Sequence, residues 1–418
     1  MSSNTLFDST TKPIPPVRWD LEIIPVQENG SSYLYFYDSR GYATQNFALD
    51  QQAARVLNLL DGHKSIEDLS PYLGKEVSKN QLLDYIKFLD KHRLLHSSYF
   101  KEYAEQVEQE YEAADVHEAV TAGLSYPADP DELTEYLDEA FQDADPSSTK
   151  HSHPVRALYA PHIDPRVGME SYVKAFQSIR HIKPERVVIL ATSHYAGMYP
   201  KKYQNKPFII SDKDFRMPLG TIKSDEKTIQ KLLKNADKTG LTKDDRAHRI
   251  EHSIELHLLF LSYLWDHDYK IVPIVVNGFD ELLYMQDGHQ GKQIEAFSKQ
   301  LSKHFADDKD TFFLISGDLA HIGKKFGDTE PARKLFEEVK QFDKQFLDSA
   351  EQGSQEKMLG LIKEKLDPYR ICGFPPLYTF LKTMPELKGK NISYHLWDEQ
   401  ERESAVSFGS VLYFKDEL

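Results

Sequence analysis

The chain has 418 residues, and its 40% hydrophobic and 28% charged residues are usual proportions for a globular protein. At this length two domains are expected, because single hydrophobic cores rarely grow beyond about 250–300 residues. The net charge is −15, and the stretch 101–150 alone carries 15 acidic and 2 basic side chains. Since no basic face is available for phosphates, we expect no nucleic-acid partner.

Three further features bear on where the protein works. No run approaches the roughly 18 consecutive apolar residues of a membrane helix, so no membrane segment is expected. The amino terminus is polar, so we expect no secretory signal there. Cys372 is the single cysteine, which excludes an internal disulfide and a zinc site made of several cysteines. Together these features predict a cytoplasmic protein.

The first 100 residues show the pattern of a small α+β domain. Residues 1–19 are expected to form a disordered or extended tail. The alternating segments 21–27 and 32–37 flank the turn sequence ENGS and predict a β-hairpin. Short helices are then expected over 49–62, 65–74 and 77–95. A hairpin with three helices has the size of a winged-helix module, which we place at residues 20–100.

The rest of the chain has a different pattern. Residues 101–120 predict a solvated acidic helical connector. A helix is expected over 129–141, with Asp129 as its N-cap and Pro130 in its first turn. Apolar runs then alternate with amphipathic stretches, which predicts an α/β domain over 121–418. The strands of its sheet are expected at 155–160, 186–192, 270–276, 311–316 and 405–414.

Titratable side chains follow three of these strands directly. His162 follows the first strand, His194 the second, and Asp318 and His321 the fourth. Ligands of open α/β sheets gather at the carboxyl ends of strands. His162 and His194 are therefore candidate metal ligands, the alternative being hydrogen-bonded core histidines. Asp318 could cap a helix that starts after the strand. Alternatively, it could pair with His321, one helical turn later on the same face, as an acid/base unit.

Two other groups of residues attract attention. The string EHSIELH places His252 and His257 five residues apart, about 140° around a helix, so they cannot chelate one ion as metalloprotease histidines do. Glu251 and His252 remain candidates for lining a pocket. Cys372 lies among glycine and proline residues, which indicates a shaped loop, the alternative being a small buried hydrophobic residue.

Seven strings resemble the Memo family and occur in its order. They are AGLSYPADPDEL (122–133), APHIDPRVG (160–168), ATSHY (191–195), EHSIELHLLFL (251–261), VPIVV (272–276), SGDLAHIGKKFG (316–327) and CGFPPLY (372–378). That family is similar in fold to the class III extradiol dioxygenases, whose iron is held by two histidines and a carboxylate. The resemblance implies that His162 and His194 are the imidazole ligands and that Cys372 replaces the carboxylate. Asp318 and His321 match the family's Asp-x-x-His string.

Residues 20–100 are similar to PqqD-like peptide-recognition domains, on the strings NFALDQQAARVLNLLDGHKSIEDL and KFLDKHRLL. Strand addition to the hairpin edge would suit peptide binding. A packing or dimerisation domain is the alternative. The resemblances imply a peptide or small-molecule substrate and partner proteins of the radical-SAM and AMMECR types.

The resulting hypothesis is a metal-dependent redox enzyme with one mononuclear ion, held by His162, His194 and Cys372. Fe(II) is expected first, with copper or zinc as alternatives, because a thiolate ligand favours softer metals. His321 would shuttle protons, Asp318 would orient it, and His252 completes the predicted catalytic set. The alternative is a non-catalytic protein, either a peptide-binding adaptor or a metal chaperone with a saturated site.

Overall fold

The computed structural model describes residues 5–73, 77–145, 151 and 153–415. The chain forms two compact units, Met1–Ala113 and Ala114–Leu418. The boundary between them falls inside the stretch 101–120, where the sequence predicts a connector. Among the described residues, no helix combines the length and the apolar character needed to cross a bilayer.

The first unit contains a three-stranded antiparallel sheet in the order β1-β2-β3. Its strands are β1 (Glu22–Glu28), β2 (Ser31–Tyr37) and β3 (Phe47–Asp50), and its helices are α1 (Ala54–Leu57), α2 (Ile66–Leu69), α3 (Lys79–Lys91) and α4 (Ser98–Ala113). The predicted hairpin is confirmed, because β1 and β2 pair along their whole length. The first predicted helix is shorter than expected, because Leu49 and Asp50 pair with β2 as part of β3.

The segments that flank this unit pack onto it. Residues 5–19 form no helix and bend at 10–12, and Ile14 is buried with its N–H donating to Lys64 O at 2.9 Å. The Arg18 guanidinium is buried and pairs with Asp20 and Asp38, each at 2.8 Å. Helix α4 buries Phe100, so most of the predicted acidic connector is an amphipathic helix of the first unit.

The second unit is built around one large mixed sheet, which confirms the predicted α/β class. Its described strands are β4 (Val116–Glu118), β5 (Val155–Ala160), β6 (Arg186–Thr192), β7 (Phe208–Ile210), β8 (Asp214–Met217), β9 (Gly220–Ser224), β10 (Leu241–Thr242), β11 (Lys270–Val276), β12 (Thr311–Ser316), β13 (His321–Gly323), β14 (Lys388–Glu399) and β15 (Ser404–Phe414). The main order is β13-β15-β5-β12-β6-β11-β9-β8-β4, with β14 beside β15 and β7 joining β11 to β10. The five predicted strands are present within one residue of their expected bounds.

Helices cover both faces of this sheet. They are α5 (Pro130–Phe141), α6 (Pro165–Gln177), α7 (Pro200–Tyr203), α8 (Glu226–Leu233), α9 (Ala236–Thr239), α10 (Glu255–Leu264), α11 (Asp280–Tyr284), α12 (His289–Phe305), α13 (Phe336–Glu351), α14 (Gln355–Lys365) and α15 (Phe374–Thr383). One apolar core lies under α8 and α12–α15, and a second lies under α5, α6 and α10. The strands between these cores are buried on both faces, which explains their continuous apolar sequences.

Three parallel strands determine where the site forms. Strand β12 lies between β5 and β6 and pairs with both in parallel. Its last residue, Ser316, is in register with Ala160 of β5 and Ala191 of β6. The residues that follow these three strands therefore meet at one edge of the sheet.

Candidate metal centre

Three histidines converge at this edge. His162 follows β5, His194 follows β6, and His252 precedes α10. Each offers one ring nitrogen, and the three nitrogens lie within 4.8 Å of one another. The ring centroids of His194 and His252 are 4.8 Å apart, and those of His162 and His194 are 4.9 Å apart. Such a cluster of imidazoles can hold a metal ion.

The surroundings of His162 determine which of its nitrogens is protonated. Its Nδ1 lies 3.1 Å from Ser316 Oγ, and the Ser316 hydroxyl donates its one proton to Ser253 O at 2.6 Å. The Ser316 oxygen must therefore accept a proton from His162 Nδ1. This leaves the lone pair on His162 Nε2, which lies 3.3 Å from Cys372 Sγ. Burial lowers the pKa of His162 well below its usual value, so the ring is neutral.

His194 is oriented by a buried carboxylate. Glu251 accepts the His194 backbone N–H at 2.7 Å through Oε2 and the Nδ1–H at 2.8 Å through Oε1. Burial alone would raise the pKa of Glu251, but the charge of His194 outweighs it and lowers that pKa to about 2. For His194 itself, burial is opposed by Glu251 and Cys372, which raise its pKa well above the usual value. At pH 7 the free ring is therefore charged, and a metal would displace the proton on Nε2 while Glu251 keeps the one on Nδ1.

His252 differs from the other two histidines. Its Nδ1 is 3.7 Å from Glu251 Oε1, too far for a hydrogen bond. Burial and the neighbouring His194 lower its pKa to about 4, so this ring is also neutral at pH 7. His257 is not in the cluster, because its Nε2 lies 2.8 Å from Pro161 O.

Cys372 reaches the histidines through a close contact between two loops. A Cβ at Gly317 would lie 2.2 Å from Gly373 Cα, so both glycines are required where the loops touch. Gly373 N donates to Asp318 O at 2.9 Å, and Thr192 Oγ1 donates to Cys372 O at 2.8 Å. Burial raises the pKa of the Cys372 thiol, so the free group keeps its proton.

Asp318 lies beside His162, as its place after β12 indicates. Its Oδ1 accepts the His162 backbone N–H at 3.0 Å, and its Oδ2 is 3.8 Å from His162 Nε2. Burial raises the pKa of Asp318 to about 7, which places its titration near neutral pH. A carboxyl group with this pKa can both give and take a proton.

The prediction of a helix directly after β12 is wrong, because the segment that follows is extended. Leu319 N donates to Ser407 O at 2.8 Å and Ala320 N donates to Ser407 Oγ at 2.9 Å, so strand β15 holds this segment extended. Asp318 and His321 therefore do not form the predicted one-turn pair. His321 Nδ1 instead lies 3.1 Å from both Leu319 O and Arg370 O. Burial lowers the pKa of His321 to about 4.

Sequence reasoning missed the residues that orient the ligands. Glu251 was noted only as a pocket residue, and Ser316 was not singled out, because their partners lie 57 and 154 residues away. Glu255 was also missed. This fully buried carboxylate accepts Thr121 N at 2.9 Å and Tyr126 OH at 2.6 Å, which fastens residues 120–126 to α10.

Comparison with known proteins agrees with this architecture. Residues 117–412 match the family profile described as Memo-like protein. The chain is 26% identical over 381 residues to a MEMO1 family protein of Aquifex aeolicus, a match that covers 89% of this chain and 93% of the relative. It is 27% identical over 340 residues to a MEMO1 family protein of Thermus thermophilus, covering 81% of this chain and 94% of the relative. Because the profile spans more than half of its length, the chain belongs to the Memo family.

Proposed function

We propose that the chain is a metal-dependent redox enzyme holding one mononuclear ion through His162, His194 and Cys372. One observation carries this proposal. The Nδ1 atoms of both histidines are engaged by oxygens, of Ser316 and Glu251, and the Nε2 atom of His162 lies 3.3 Å from the Cys372 sulfur. Histidine ligands of metals are oriented in this way through their second nitrogen.

The donor set suits the expected metals. Imidazole nitrogen and thiol sulfur favour Fe(II), copper or zinc over magnesium or calcium. We place Fe(II) first, as the class III extradiol dioxygenase likeness implies, with copper and zinc as alternatives. A bound iron or copper ion would supply the one-electron and dioxygen chemistry that side chains lack.

The neighbouring side chains would handle protons. We propose Asp318 as a proton donor and acceptor, because its carboxyl lies 3.8 Å from His162 Nε2 and its pKa is about 7. Within the described part of the chain no hydrogen bond orients the His252 ring, so we propose it as an acid/base rather than a ligand. His321 keeps its predicted role in proton transfer, but the carbonyls of Leu319 and Arg370 orient it instead of Asp318.

The first unit supports a peptide substrate. An apolar groove of about 450 Å³ lies between β3 and α3, with Leu49, Val56, Leu82 and Tyr85 in its walls. Strand β3 is an edge of its sheet among the described residues, and an extended peptide can pair with such an edge while its side chains enter the groove. We therefore propose a PqqD-like, winged-helix role for this unit. Partner proteins of the radical-SAM and AMMECR types remain part of the proposal.

Elemental analysis of anaerobically purified protein tests the proposal. The parent should contain near-stoichiometric iron or copper, and Cys372→Ser, His162→Ala and His194→Ala should lose it. His289→Ala is the matched control, because this exposed histidine at the start of α12 takes no part in the cluster. Oxygen uptake by the loaded parent would then be screened with peptides. Metal retained in both histidine variants would refute the site.

One observation favours the non-catalytic alternative. His252 adds a third imidazole within 4.8 Å of the other two, so the three histidines together with Cys372, whose sulfur is 3.3 Å from His162, could saturate a tetrahedral ion and leave no open position. A metal chaperone or adaptor would then fit better than an enzyme. Nitric oxide distinguishes the two cases, because an iron site with an open position should bind it and change its absorption spectrum, whereas a saturated site should not.

A further inference from the structure

The loop that carries Cys372 has an unusual backbone. Leu366, Asp367 and Arg370 have φ angles of 56°, 52° and 54°, in the left-handed region that residues other than glycine seldom adopt. The first two directly follow α14, where a left-handed residue is a common way to end a helix. Arg370 lies beyond the helix end, two residues before Cys372. A conformation of this kind persists only where surrounding contacts fix it, and it is frequent at functional sites.

The contacts that fix Arg370 lead to His321. The Arg370 carbonyl oxygen lies 3.1 Å from His321 Nδ1, and the Arg370 Nε donates to His321 O at 2.9 Å. The neighbouring Tyr369 O accepts the His321 backbone N–H at 2.7 Å. Arg370 therefore holds both the ring and the backbone of His321, through its own carbonyl and its own side chain.

Asp328 anchors the other end of the Arg370 side chain. Its Oδ2 accepts Arg370 Nη2 at 2.6 Å and the Gly323 backbone N–H at 2.7 Å. Burial alone would raise the pKa of Asp328, but the hydrogen bonds from Arg370 and Gly323 outweigh it and lower that pKa, so the carboxylate stays charged. A guanidinium suits this place, because its rigid fork can donate to His321 O and to Asp328 at the same time, whereas an ammonium is a point charge.

These contacts determine which nitrogen of His321 carries the proton. Its Nδ1 lies 3.1 Å from two carbonyl oxygens, those of Leu319 and Arg370, and a carbonyl oxygen can only accept a hydrogen bond. Nδ1 must therefore be protonated, which leaves the lone pair of the neutral ring on Nε2. Burial and the charge of His194 lower the pKa of His321 to about 4, so the ring is neutral at pH 7.

We propose that Arg370 is a positioning residue, which holds His321 with its proton on Nδ1 and thereby makes Nε2 the atom that accepts a proton. The inference rests on the proposed role of His321 in proton transfer and gives that role a direction. A substrate proton would pass to Nε2, and the resulting imidazolium would keep the Nδ1 proton until Nε2 passes its proton on. Because Arg370 and Cys372 share one loop, the arrangement of His321 also depends on the loop that holds the thiol.

Nitrogen NMR of the full chain, labelled with ¹⁵N-histidine and freed of metal by a chelator, provides the test. The ring nitrogen shifts distinguish a protonated nitrogen from an unprotonated one, and the His321 signals are those missing from His321→Gln. The parent is compared with Arg370→Gly, because glycine adopts the left-handed backbone without strain and removes only the side chain. Arg216→Ala is the control, since it breaks an exposed ion pair to Glu118 at the opposite end of the sheet from β13. A thermal melt shows that each variant is folded.

We expect His321 at pH 7 to be wholly in the Nδ1–H form in the parent and in Arg216→Ala, and to lose this single form in Arg370→Gly, where both tautomers should appear. A parent His321 with its proton on Nε2 would overturn the inference, as would a folded Arg370→Gly that keeps the pure Nδ1–H form. If Arg370→Gly does not fold, Arg370→Lys is judged by the same criterion, because it keeps the charge but not the fork. The measurement needs neither metal nor substrate, so failure of this inference and failure of the metal site are separate results.

Discussion

Replacement of Glu251 by glutamine should weaken binding of the proposed metal ion without altering a proposed ligand. Both Glu251 oxygens already accept N–H groups, since Oε2 accepts His194 N at 2.7 Å and Oε1 accepts His194 Nδ1 at 2.8 Å and Ser253 N at 3.1 Å. An amide nitrogen in either place would face a donor, so at least one hydrogen bond is lost. We expect roughly 10–100-fold weaker metal binding, which corresponds to a loss of about 1.4–2.8 kcal/mol.

Competition with a chromophoric chelator at fixed pH measures this affinity, and a thermal melt shows that the variant is folded. Glu281→Gln is the matched control, because the Glu281 carboxylate also accepts backbone N–H groups, from His289 and Gln290, outside the metal centre. The reasoning is refuted if folded Glu251→Gln binds the ion within threefold of the parent.

Three further predictions follow from buried contacts. In Gly373→Ala the new Cβ would lie 2.3 Å from the Tyr159 hydroxyl, so we expect the free energy of unfolding to fall by about 1–3 kcal/mol and the metal content to fall as well. The control Gly360→Ala, which has open space in α14, should keep both its stability and its metal. A Gly373→Ala variant that is as stable and as metal-loaded as the parent would contradict the packing argument. Burial raises the pKa of Asp343 to about 6, so between about pH 4 and 6 the folded carboxyl holds a proton that the unfolded one releases, and stability falls as pH rises through this window. Asp343→Asn should therefore have a free energy of unfolding up to about 3 kcal/mol higher than the parent at pH 7.5 and equal to the parent near pH 4. If urea unfolding shows the same difference between variant and parent at both pH values, titration of Asp343 is not its cause. Tyr126→Phe should lower the free energy of unfolding, followed by thermal melting, by about 1–3 kcal/mol, because it removes a hydrogen bond to the buried Glu255 carboxylate. Its metal content should not change, and a loss of metal would show that this contact also supports the histidine cluster.

The strands that carry the site were predictable because each is an apolar run buried on both faces. Strands β5, β6, β11 and β12 match their predicted bounds, and His162 and His194 follow directly from them. Strand β14 was missed because it is partly exposed and lacks a clean alternation. The short strand β7 depends on pairing with β10 and β11, and β10 depends on pairing with β7, which no local pattern records.

The remaining features of the site depend on contacts between distant parts of the chain. An Asp-x-x-His string is compatible with a helix, and only the pairing of Ala320 with Ser407, 87 residues later, makes it extended. The protonation of His162 likewise depends on Ser316 and Ser253, which meet only after the sheet has formed. Residue types therefore indicated the candidate ligands, whereas the groups that orient these side chains required coordinates.

The position of β12 has a consequence for how the protein is made. This strand is synthesised after β5 and β6 but lies between them, and Cys372 follows His162 by 210 residues. A nascent chain that ends before Ser316 carries both histidines but not the strand that separates and aligns them. The complete ligand set that we propose would therefore be available only after translation has passed Cys372. Metal supply would then control how much protein is loaded, while the two apolar cores control how much protein folds.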